Sequence, residues 1–89
     1  MTNFTKDPQA TLDYSIDWSD WLSGDTIINS VWTVPVELQS SRLSEFNTTQ
    51  TVVWLEGGEE NITYQVKNTI TTAGGRVDER TMTVKVANK

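Results

Sequence analysis

The sequence predicts an all-β fold, a single antiparallel β-sandwich of about seven strands. Three observations carry the prediction. Apolar and polar residues alternate along several stretches, as at Leu12, Tyr14, Ile16 and Trp18. Clusters of Gly, Asn, Asp and Ser interrupt these runs roughly every 8–12 residues. No segment sustains the spacing of an amphipathic helix.

In chain order, residues 1–10 are polar and contain Asp7-Pro8, a turn-forming pair. They are expected to form a tail ahead of a domain spanning residues 11–87. Thr11 to Trp18 is the first strand, with Leu12, Tyr14, Ile16 and Trp18 inward and Asp13, Ser15 and Asp17 outward. Ser19 to Gly24 breaks the period and reads as a helical turn capped by Ser19 and ended by Gly24. Thr26 to Val34 is a β-branched run stopped by Pro35. Both of its faces are partly apolar, and Ile28, Trp32 and Val34 are taken as the inward set because Trp32 is the largest apolar group.

Val36 to Thr49 is irregular, with a turn at Gln39-Ser40-Ser41 and with Leu43 and Phe46 as anchors of a short strand or loop. Thr51 to Leu55 is a strand. A long hairpin follows: Ile62, Tyr64, Val66 and Ile70 share one parity, broken by Asn68, and Met82, Val84 and Val86 share the other arm. The turn between them is Ala73-Gly74-Gly75-Arg76, where glycine permits positive φ.

Composition limits the function. The 89 residues make one domain with a thin stability margin. A net charge of −5 with scattered Lys and Arg argues against nucleic acid as partner. No apolar run is long enough to cross a bilayer and the first residues hold no secretory h-region, so no membrane partner is expected and the Asn-x-Thr sequons at Asn3, Asn47 and Asn61 are read as chance. There is no His and no Cys, which removes His-based and Cys-based triads and ordinary zinc sites. Asp13, Asp17, Asp20 and Asp25 are the carboxylates left for a calcium site or an acid/base pair. Asp13 and Asp17 fall on the solvent side and EF-hand spacing is missing, so a solvated acidic face is expected, with no metal, no cofactor and no catalytic residue.

Leu55-Glu56-Gly57-Gly58 ahead of Tyr64 resembles the turn between strands E and F of fibronectin type III and other immunoglobulin-like sandwiches. There a core Leu precedes a glycine turn, and a Tyr hydroxyl reaches back to upstream backbone as a tyrosine corner. Of the four Trp, Trp18 and Trp32 are expected in the core. Trp21 and Trp54 are the candidates for surface contact, since exposed Trp is favoured at interfaces and also stacks on sugars.

Longer blocks carry a second resemblance. Lys6 to Tyr14, Asp17-Trp18-Ser19-Asp20-Trp21-Leu22, Gly24 to Ile27, Trp32 to Pro35, Thr51 to Leu55, Tyr64 to Thr72 and Gly75 to Arg80 resemble small tailed-phage and prophage virion proteins often labelled fibre-tail adaptors. The resemblance implies an immunoglobulin-like, non-enzymatic virion component. It would be made in the host cytoplasm and joined in several copies to other phage virion proteins of head, tail or fibre. Trp21, Trp54, Asp20, Gly74, Gly75 and Arg76 are the expected interface residues. The alternative is a carbohydrate-binding module using Trp54 or Trp21.

Overall fold

A computed structural model describes residues 2–87. Seven strands lie among the described residues: β1 (Thr2–Lys6), β2 (Thr11–Asp17), β3 (Ile27–Thr33), β4 (Glu45–Phe46), β5 (Gln50–Glu56), β6 (Thr63–Thr72) and β7 (Val77–Val86). A one-turn helix, α1 (Ser19–Leu22), follows β2, and a 3-10 turn (Val36–Leu38) follows β3. One sheet has the order β1-β7-β6-β3 and the other β2-β5-β4. Their inner faces share one core, to which β2 gives Tyr14 and Ile16, β5 gives Val53 and Leu55, β6 gives Val66 and Ile70, and β7 gives Met82, Val84 and Val86. The all-β expectation holds, and the inward parities of β6, β7 and most of β2 are those the alternation predicts. Leu12, expected inward at the start of β2, is exposed because it lies at the end of the strand, beyond the core residues Tyr14 and Ile16.

The N-terminal segment departs from the expected tail. Thr2–Lys6 pairs with β7 in parallel, from Thr2 opposite Met82 to Lys6 opposite Val86, so the first sheet is mixed rather than wholly antiparallel. Its sequence looks polar because a lysine, Lys6, stands where β1 faces inward. Lys6 is fully shielded from solvent, and its ammonium donates to the carbonyls of Gly57 (2.7 Å) and Asp7 (2.9 Å). Desolvation lowers its pKa, against the opposing pull of Asp7 and Glu56. Phe4 lies 4.7 Å from the Tyr14 ring, ring centre to ring centre.

Three other expectations are corrected. In β3 the register shifts between Ile27 and Asn29, so Ile27 is buried while Ile28 stands exposed. The bulge inserts one residue and reverses the parity ahead of Trp32 and Val34, which stay half-buried. Leu43 anchors nothing and is 85% exposed; the buried residue of that segment is Leu38, in the 3-10 turn. Ile62 lies ahead of β6 and is exposed.

Asn68, the apparent gap in the β6 pattern, points inward and is fully buried. Its side-chain oxygen accepts from Trp18 Nε1 (3.1 Å) and Thr51 Oγ1 (2.7 Å). Its amide nitrogen donates to Ser30 Oγ (2.9 Å) and the Val31 carbonyl (3.2 Å). All four hydrogen-bonding capacities of the amide are met. The tyrosine corner is also present in its essential contact: the Glu59 N–H donates to the Tyr64 hydroxyl at 3.0 Å. Beside it, a Cβ on Gly58 would lie 2.6 Å from Val86 Cγ2 and 2.8 Å from Leu38 Cδ2, at φ +97°.

Replacing Asn68 by Leu leaves buried donors and an acceptor unmet and should cost about 3 kcal/mol, read as a lower urea midpoint at unchanged slope. Gly58→Ala should cost about 2–3 kcal/mol, since strain and overlap add. Gly75→Ala, also at positive φ but with open space around it, should cost about 1 kcal/mol.

Candidate docking surfaces

The residues from Asp17 to Thr26 and the β6–β7 turn meet at one end of the molecule. Ser19 is the first helical residue rather than the cap; Trp18 holds the N-cap position without a side-chain cap. The Asp17 carboxylate before it accepts the Ser19 N–H (2.9 Å), the main reason the Asp17 pKa is lowered. The helix ends at Ser23, whose φ of 50° is left-handed, followed by Gly24 at 92°. The turn that follows brings Asp25 under the hairpin tip.

Asp25 is the hub of this end. Its Oδ1 accepts the N–H groups of Thr26 (2.8 Å) and Gly74 (3.0 Å), and its Oδ2 accepts Arg76 Nε at 3.2 Å. The Thr72 hydroxyl contributes most to holding its pKa down at about 2, then the Thr26 N–H, with Gly74 and Arg76 adding to the effect against partial burial. Arg76 also donates from Nη2 to the Leu22 carbonyl (2.6 Å) and from Nη1 to the Trp21 carbonyl (3.4 Å). Those are carbonyls at the end of α1 with no helical partner. The same guanidinium lies 4.2 Å over the Trp21 ring. Trp21 meets Trp18 edge to face at 5.5 Å, and Arg80 covers Trp18 at 4.3 Å. Arg80, Trp18, Trp21 and Arg76 therefore form one chain of alternating cation–π and aromatic contacts between α1 and β7.

The structure thus brings together Trp21, Gly74 and Arg76, with Gly75 at the turn tip and Asp20 exposed on the same helix as Trp21. Arg76 is committed to internal partners and holds the tip in place. Asp25 and Thr72 complete the cluster and were not among the expected interface residues. Asp25 stood out in the sequence only as one of four carboxylates, and the signal for its structural role was its place between Gly24 and a strand, where Asp commonly bonds its own following backbone.

Trp54 belongs to a different surface. It sits outward on β5, opposite Asp13 of β2, and half-buried. Arg42, from the loop between the 3-10 turn and β4, lies 4.4 Å over its ring. Next to it a cavity of about 230 Å³ is lined by Trp32, Val34, Arg42, Leu43, Val53 and Trp54, with Gln39, Ser40 and Ser44 at its polar side. Among the described residues no group of three or more His, Cys, Asp or Glu comes close enough to hold a metal ion.

A family model described as podophage GP4 fiber-tail adaptor protein gp77 matches residues 6–85 of the chain. That span runs from the last residue of β1 to the next-to-last of β7. No curated protein matches the chain significantly.

The Asp25 cluster predicts an acid-sensitive tip. Its folded pKa of about 2 lies below the ordinary 3.8, so its contribution to stability is complete above the higher value and is lost as pH falls through the lower one. Asp25→Asn should therefore lower the urea midpoint at neutral pH, and the gap from the parent chain should shrink between pH 4 and pH 2.

Proposed function

The chain belongs to the podophage fibre-tail adaptor family, and on that premise we propose that it joins tail and fibre proteins as a non-enzymatic part of the virion. The observation that carries this reading is the extent of the family match, which takes in β2 to β6 whole, nearly all of β7 and the hairpin tip. The protein contacts are proposed to lie at the α1 and β6–β7 end, on Trp21, Asp20, Gly74, Gly75 and Arg76, with Trp54 on a second face. A docking surface benefits from a rigid anchor, and the Asp25–Arg76–Trp21 cluster supplies one. The parts would be made in the host cytoplasm and taken into the particle in several copies, consistent with a small chain without cysteine.

The carbohydrate-binding reading finds less support. Stacking on a sugar needs an open indole face, and one face of Trp21 and one of Trp54 already lie under guanidinium groups.

The chain expressed with its virion partners should co-purify with assembled particles; absence from them sinks the proposal. Gly75→Asn tests the tip, since Asn tolerates left-handed φ and the space around Gly75 is open. The variant should keep the parent's urea midpoint within about 0.5 kcal/mol yet enter particles about tenfold less, as loss of one good contact implies. Normal incorporation would move the contact away from the tip.

A further inference from the structure

The arginines of this chain differ in what their guanidinium groups do. Arg76 donates to Asp25, Trp21 and Leu22, and Arg80 donates to the Asp17 carbonyl. Arg42 lies on the Trp54 ring, and among the described residues its guanidinium donates no hydrogen bond and joins no ion pair. It is a cation held in orientation by an indole, with its fork of donors unspent.

The cavity beside it matches that cation. None of its lining residues is acidic, although the chain carries 12 Asp and Glu against 7 Lys and Arg. Asp13, opposite Trp54, and Glu56, 3.5 Å from the Ser40 hydroxyl, flank the region without pairing with Arg42. Trp32, one wall of the cavity, keeps its indole N–H away from water with no acceptor among the described residues. A buried donor left unmet is costly and uncommon. The Ser44 hydroxyl adds one more donor to the lining, that of Ser40 being turned to Glu56. The walls that remain are apolar: Val34, Val53, Leu43 and the two indoles.

The loop of residues 40–44 frames the mouth of the cavity, held at both of its ends to β5. On the side away from β2, β5 pairs with β4 at Thr51 and Val52 and with Gln39 at Leu55. Val53 and Trp54, between them, meet no strand on that side. At about 230 Å³ the cavity is smaller than the ~300–1,000 Å³ usual for small-molecule pockets and is of a size to admit one side chain.

We infer that this cavity is a receptor for an acidic side chain carried on an extended segment of a partner protein. The segment crosses the mouth of the cavity beside the loop of residues 40–44 and its carboxylate meets the Arg42 guanidinium. Charge sets the choice of occupant: a cation without a counterion, in a lining without carboxylates, on an otherwise acidic chain. The adaptor reading enters only in naming a protein as the source of the segment.

The test follows the four indole N–H resonances of the ¹⁵N-labelled full chain during titration with a capped Thr-Val-Glu-Val-Thr peptide, its Gln counterpart and inorganic phosphate. The Glu peptide should shift the Trp32 and Trp54 signals and leave Trp18, bonded to Asn68, in place as the reporter of an intact fold. The Gln peptide, and the Glu peptide with Arg42→Gln, should each bind about tenfold more weakly, as loss of a charge-assisted pair implies. Arg42→Lys should recover part of the binding. Still signals at Trp32 and Trp54, equal binding by Arg42→Gln, or an equal response to phosphate would overturn the inference. A chain that enters particles but ignores the peptide removes this site and leaves the adaptor reading standing; one that binds the peptide and never enters particles does the reverse.

Discussion

The architecture depends on one buried amide. Asn68 lies in the middle of β6, where an aliphatic residue would continue the pattern, and every hydrogen-bonding capacity of its side chain is used. Its four partners come from three places: Trp18 after β2, Thr51 on β5, and Ser30 and Val31 on β3. An apolar contact between the sheets tolerates a slip, because one aliphatic surface resembles another. A buried amide does not, because each wrong register strands a donor or acceptor out of water. The network therefore specifies how the two sheets face each other, while the surrounding aliphatic core supplies most of the driving force.

The same principle recurs where the chain changes direction. Lys6 ends β1 by donating to carbonyls of Gly57 and Asp7, and so fixes β1 against the β5–β6 turn. The Tyr64 hydroxyl accepts a backbone N–H in that same turn, and Gly58 leaves room there for Val86 and Leu38. At the β6–β7 turn Asp25 accepts the Gly74 N–H along with that of Thr26, while Arg76 takes the carbonyls at the end of α1. In each case a charged or phenolic side chain replaces the partner that a regular strand or helix would have supplied.

This arrangement shapes what is left for contact with other proteins. Most of the arginine charge is turned inward or onto indoles, which leaves a predominantly acidic exterior. At the tip, Gly74 and Gly75 present backbone on a rigid support, a form suited to close approach by a partner. Arg42 also lies on an indole, but its guanidinium, unlike those of Arg76 and Arg80, donates no hydrogen bond among the described residues. It lies where the smaller sheet is least complete, because β4 covers only two residues of β5.

What the sequence determined by itself is local in origin. Period-two alternation set the inward faces of β2, β6 and β7; glycine placed the β6–β7 turn; and Leu55, the glycine pair and Tyr64 marked the tyrosine corner. Only the tertiary structure decided the rest. Residues 2–6 read as a polar tail until β7 provided a parallel partner and Gly57 a carbonyl for Lys6. The inward side of β3 was misread at Ile28 because a bulge moves parity by one without any change in composition. Asn68 looked like an interruption, and Arg42, Arg76 and Arg80 looked like scattered surface charge. Their roles rest on partners 12 to 63 residues away in sequence, and a pattern that repeats every two residues carries no information over that range.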